Sequence, residues 1–119
     1  MDLTREQALE LHREMWTDMQ KELGDCPTYI ERRDFKRKWV RQRFPFEVVL
    51  SNCFLCEYAN LILCEYVEYA NLRRCSYCPI NWGRNGESGN FCEKTVGVGV
   101  DWRHSPISEI LALPEREDV

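Results

Sequence analysis

The chain has 119 residues, 44% of them hydrophobic and 30% charged, with a net charge of −4. That length fits one domain with a genuine core, and no apolar run approaches the roughly 20 residues that a membrane-spanning helix needs. The opening "MDLTREQALELHREMW" carries acids and helical periodicity where a secretory leader has a basic start and an apolar block, so the expected place of action is the cytoplasm.

Thr4 with Gln7 forms a capping box. Behind it Ala8, Leu11, Met15 and Met19 recur at helical spacing, with Leu9, Trp16 and Leu23 alongside, and Gly24 supplies a stop. These signals predict an amphipathic helix over residues 5–23. Thr28 with Glu31 opens a second helix running toward Arg41. Arg32, Arg33, Lys36, Arg37, Lys38, Arg41 and Arg43 crowd it, and its apolar residues Ile30, Phe35, Trp39 and Val40 form no clean stripe. Pro45 ends it.

"FEVVL" then reads as a short buried strand, and "PINWGRNGESGN" as a loop rich in Gly and Asn. "KTVGVGVDW" reads as a strand weakened by two glycines. Ser105-Pro106 is an N-cap signal for a short helix over "ISEILAL", and "EREDV" reads as a frayed acidic tail. The fold expected is α+β: a small zinc-stapled domain, mainly helical with short strands. Residues 1–119 form one zinc-binding domain. Its N-terminal region, residues 1–45, is helical; residues 46–104 bind the metal; residues 105–119 form a short helix and tail.

The chemistry lies between Cys53 and Cys78, where five of the seven cysteines fall. Cys53-x2-Cys56 and Cys75-x2-Cys78 are separated by eighteen residues, inside the usual window for four-cysteine zinc sites. A two-residue gap lets a tight turn aim both sulfurs at one point, and two such turns supply four thiolates at about 2.3 Å from zinc. Four thiolates leave no open position, so the site reads as structural. Paired cysteines in a reducing compartment more often bind metal or act in redox chemistry than form disulfides. A redox role lacks the βαβ context, buried packing does not call for two matched pairs, and an iron–sulfur cluster satisfies the same spacing.

The spacer repeats "EYANL" at eleven-residue separation and reads as an amphipathic helix. A straight helix over residues 57–72 would be about 24 Å long at 1.5 Å per residue, too long for both ends to hold one ion. Either the helix is shorter and the chain doubles back before Arg74, the favoured reading, or the two pairs serve different sites; Cys92 is then the first substitute ligand and Cys64 the second.

His12-x-Glu14 matches half of the zinc deaminase signature, but the proline that should precede a cysteine pair is missing. His12 is therefore expected at the surface or boundary. With His104 it is one of only two histidines, which leaves acid–base catalysis few candidates.

The basic helix offers a different chemistry. Arg32, Arg33, Lys36, Arg37, Lys38 and Arg41 span most of its circumference, with Trp39 as a stacking surface. Surface ion pairs contribute at most about 1 kcal/mol each, so an anionic partner, either an acidic protein surface or a nucleic acid, accounts for the cations better. Reversing Arg33, Lys36 and Arg37 to glutamate is expected to abolish partner binding and to leave folding and zinc intact. Trp82, just after the second cysteine pair, is expected to pack over the metal.

"LHREMW", "NCFLCEYA", "CSYCPINWG", the later Cys92 and "LALPERE" resemble a group of small proteins encoded by tailed phages and prophages of Gram-positive bacteria. The likeness covers the first helix and most of the chain from Asn52, with "CPINW" its most specific phrase. The basic helix and the duplicated "EYANL" depart from that pattern. The resemblance implies a phage accessory protein in the bacterial host cytoplasm. The leading expectation is then a binding module that modifies or blocks a host protein machine, a defence system among the candidates. The alternatives are a nucleic-acid-binding zinc protein using residues 28–43, and an enzyme or ligand-sequestering protein.

Overall fold

Both predicted capping boxes form. In the computed structural model, which describes residues 3–46, 54–56, 58, 78–82 and 100–117, Thr4 Oγ1 accepts from the Gln7 amide at 3.2 Å. The Gln7 side chain accepts in return from the Thr4 amide at 2.9 Å. They open α1, Arg5–Leu23, which buries Ala8, Leu9, His12, Met15, Trp16 and Met19 along one face. Gly24 ends it at φ 85°, a backbone region in which side-chain-bearing residues are strained. Thr28 and Glu31 open α2, Tyr29–Arg43, by the same exchange. Phe44 leaves helical geometry directly before Pro45, whose ring disfavours a helical predecessor.

A third helix, α3, spans Ile107–Leu111 and buries Ile107 and Ile110. Its N-cap is Pro106, and Ser105 makes no capping bond there. Asp25, from the α1–α2 turn, caps it across space: its carboxylate accepts from the Ser108 amide at 2.7 Å and the Ser108 hydroxyl at 2.9 Å. These bonds, the Ser108 amide foremost, hold the Asp25 carboxyl below its ordinary range. The predicted helix is correct, and its start is set by a residue more than eighty positions away.

α2 and α3 both pack on α1. Phe54, Leu55, Cys78, Ile80 and Trp82 complete the same core. The fold is mainly helical, and this corrects the expected α+β, zinc-stapled architecture. Among the described residues there is no sheet, and the one β feature is an isolated antiparallel bridge between Ile80 and Glu115. Around it the Asn81 amide donates to the Pro114 carbonyl at 2.9 Å and the Arg116 amide to the Pro79 carbonyl at 2.7 Å. A strand needs a ladder to satisfy its backbone, and here the pairing stops after one bridge while helical faces supply the burial. The described core closes by apolar packing. Most of "FEVVL" and of "KTVGVGVDW", and the spacer helix beyond Tyr58, lie outside the described residues.

The acidic tail is not frayed where it is described. Glu115 pairs with Arg13 at 2.8 Å and Arg5 at 3.4 Å, and the Arg116 carbonyl accepts from Arg5 Nη2 at 2.6 Å. The Arg13 hydrogen bond, more than the two positive charges, lowers the Glu115 carboxyl.

Candidate functional site

α2 carries two cationic faces with opposite fates. Arg32 is 1% exposed, as buried as the apolar core around it. Its Nε donates to the Pro27 carbonyl at 2.9 Å, and Nη1 donates to the carbonyls of Trp102, at 3.1 Å, and Ser105. The side chain thus ties the α1–α2 turn to the 102–105 turn, in front of α3. Burial lowers its pKa, while the nearby Cys26, Asp101 and Asp25 act the other way.

Lys36, one turn on, is also buried. Its Nζ sits 4.0 Å from the Trp102 ring centroid and 5.7 Å from that of Trp16. Such a desolvated cation–π contact contributes about 2 kcal/mol. Arg32, Lys36, Trp39 and Val40 form the inward stripe, at i, i+4, i+7 and i+8. The stripe that apolar residues alone fail to form is completed by two cations. Reversal of Lys36 would therefore break the core as well as any binding face. Ile30, by contrast, points out and is 56% exposed.

The remaining cations lie outside. Arg33 pairs with neighbouring Asp34 at 3.1 Å, and Arg43 with Glu14 at 2.6 Å. Arg37, Lys38 and Arg41 are exposed and line one groove with Asp34 and Gln42. None of the three has an ion-pair partner among the described residues. Trp39 is 8% exposed and turned to the core, its Nε1–H donating to Asp18 Oδ2 at 2.9 Å and its ring edge-on to Phe54. It is not open for stacking a base.

His12 is buried, against expectation, at 3% exposure. It packs edge-on to Trp16 and to Trp82, with ring centroids 6.4 and 6.1 Å away. Its Nε2 has no hydrogen-bond partner among the described residues. Desolvation first, then the charges of Lys36 and Arg13, lower its pKa to about 3. With Glu14 committed to Arg43, the H-x-E motif is a packing element. Trp82 is 2% exposed; its ring packs edge-on to His12 of α1, and its carbonyl accepts from the Val100 amide at 3.3 Å.

Of the metal candidates, Cys56 and Cys78 are described, half-buried and buried; Cys53, Cys75, Cys64 and Cys92 lie outside the described residues. The described cysteine of each pair lies next to core residues. Phe54 and Leu55, at 1% and 0% exposure, lie inside the first pair, and Cys78 leads into fully buried Ile80. Among the described residues alone, no three His, Cys, Asp or Glu side chains group around a metal position. Cys26 is exposed and lies at the turn before Pro27.

Sequence reasoning missed the split between the faces of α2. Its one available signal was the i, i+4, i+7, i+8 pattern of Arg32, Lys36, Trp39 and Val40, legible only if a cation is allowed to occupy a core position. No described helix is long and apolar enough to cross a membrane. Comparison with family models, curated proteins and solved structures finds no match to this chain.

Proposed function

We propose that the chain is a small zinc-binding module that engages a host protein through the outer face of α2. The observation that carries this reading is the division of α2. Two cations are consumed inside, and three, Arg37, Lys38 and Arg41, stand exposed in one groove with a single carboxylate, Asp34, and form no ion pair among the described residues. Carboxylates on a partner would supply that charge, steering association and fixing its register. The resemblance to phage and prophage proteins makes the partner a host machine in the bacterial cytoplasm, a defence system among them.

Zinc is held in this reading by Cys53, Cys56, Cys75 and Cys78, with Cys92 or Cys64 as the replacement ligand. The ion shapes residues 46–104 locally and leaves no open position for substrate. Elemental analysis of the purified protein tests it directly: one zinc per chain is expected, and a protein devoid of zinc and iron overturns it. A nucleic-acid role for residues 28–43 is weakened by the inward turn of Trp39, Arg32 and Lys36. An enzyme reading gains nothing from the buried His12.

The test of the face is capture of host proteins by the tagged chain, compared with Arg37→Glu/Lys38→Glu/Arg41→Glu. Loss of the retained proteins with unchanged circular dichroism supports the reading. Full retention by the folded variant overturns it.

A further inference from the structure

Two grooves on α2 share an edge. The first, about 400 Å³, is the cationic one among Arg37, Lys38 and Arg41, with Asp34 at its margin. The second, about 300 Å³, lies between α1 and α2, and Lys38 and Gln42 line both. The floor of the second is Phe35 and Trp39, and its far wall is Asp18 and Glu22 of α1. The surface passes from positive to aromatic to negative. It is also pre-set: Trp39 is fixed by Asp18, and the Arg43 guanidinium, paired with Glu14, sits 5.0 Å from the Trp39 ring centroid.

We infer that the joined grooves recognise an acidic protein segment in which two carboxylates stand beside one lysine or arginine. The inference rests on the reading of α2 as the recognition face. Arg37 and Arg41 are i, i+4 neighbours on one side of the helix and take the two carboxylates. The long side chain of the flanking cation lays its alkyl stem over half-buried Phe35, beside Trp39, and directs its head to Asp18 and Glu22. Long cationic side chains cover apolar surface in this way, and aromatic rings attract the charge.

A nucleic acid fits worse. Its phosphates would meet Asp34, Asp18 and Glu22, and nucleic-acid binders that neutralise about 6–10 phosphates need more cations than these three. A purely acidic segment would satisfy the first groove and be repelled by the wall of the second.

The experiment is a titration of the isotopically labelled full chain at low salt, followed by NMR. The probes are the peptide Glu-Glu-Ala-Ala-Lys, the same peptide with alanine or glutamate in place of lysine, and single-stranded oligothymidylate. The first peptide is expected to move the amides of residues 34–42 and the Trp39 indole signal. Replacing its lysine by alanine weakens binding about two- to fivefold, the size of an exposed charge pair. Glu22→Lys loses a similar factor and regains it with the glutamate-ended peptide. Arg37→Glu/Arg41→Glu weakens every acidic peptide by tenfold or more.

Indifference of the Trp39 indole, equal binding of the three peptides, or preference for oligothymidylate overturns the inference. If host capture depends on the α2 cations while the peptides bind alike, the recognition face stands and this specificity falls. If capture survives reversal of those cations, the face itself is refuted and the inference falls with it.

Discussion

α1 and α2 open with the same device and bury their inner faces by different chemistry. Each starts at a threonine whose hydroxyl and third-following residue exchange hydrogen bonds. α1 then buries an apolar stripe with a single histidine in it, whereas α2, counted from its capping threonine, places Arg32 where α1 has Ala8 and Lys36 where α1 has His12. A buried cation is tolerated when its charge is answered locally. Arg32 is answered by three carbonyls and Lys36 by two indole faces. The difference teaches that the cationic character of α2 is partly architecture, and only the remainder is free for recognition.

The comparison breaks most severely at Arg32. Arg32→Met keeps much of the stem and strands three carbonyls, one in a buried and two in part-buried hydrogen bonds, each costing up to about 1–3 kcal/mol when unpaired. A loss of about 3–5 kcal/mol is expected, read as a lower denaturation midpoint in urea. An unchanged midpoint would show that water satisfies those carbonyls and that Arg32 is dispensable.

His12 gives the next largest effect, and its direction follows from the pKa. The unfolded chain protonates it near pH 6.5, whereas the folded chain resists until about pH 3. Above pH 6.5 it carries no penalty. As pH falls from 6.5 toward 3, the unfolded state binds the extra proton and stability drops by about 1.4 kcal/mol per unit. At pH 5 the loss is about 2 kcal/mol. His12→Phe is expected to flatten this part of the stability–pH profile, and an equally steep profile in the variant would assign the slope elsewhere. The lowered carboxyls of Asp25, Glu31 and Glu115 act in their own range, below their ordinary pKa values, and lose their contribution as they protonate.

The shared device of the two helices supplies a smaller test. Thr28→Ala is expected to cost about 1 kcal/mol, the usual value of an N-cap, with Thr4→Ala alongside as the matched control on α1. A much larger loss at Thr28 would mean that the α1–α2 turn, held by Arg32 and Asp25, depends on the start of α2. At the end of the scale, Arg37→Ala/Lys38→Ala/Arg41→Ala should shift stability by no more than about 0.5 kcal/mol. Substantial unfolding of that variant would return these cations to the scaffold and remove the case for a recognition face.

Cap chemistry was legible because it is local: Thr4–Gln7, Thr28–Glu31, Gly24 and Pro45 act within a turn of their own position, and both long helices begin where those residues predict. α1's core face was legible because its residues are apolar at helical spacing. The inward face of α2 was not, since hydropathy assigns every arginine and lysine to water, and only the carbonyls of Pro27, Trp102 and Ser105 overrule that assignment. The outer cations were included in the predicted site but could not be separated from Arg32 and Lys36. His12 was misplaced for a related reason: nothing in "LHREMW" reveals that Trp82 covers it.

The sequence by itself determined the two capped helices, the short terminal helix, the paired thiols and the excess of cations on α2, because each depends on residue type and near-neighbour spacing. The tertiary structure decided which cations are spent inside, that Asp25 rather than Ser105 caps α3, and that Glu115 is tied down by Arg5 and Arg13. It also decided that, among the described residues, a single bridge is the whole of the β structure. Each of these depends on groups brought together from distant stretches of the chain, where a hydrogen bond or an aromatic face can reverse the preference that a residue shows on its own.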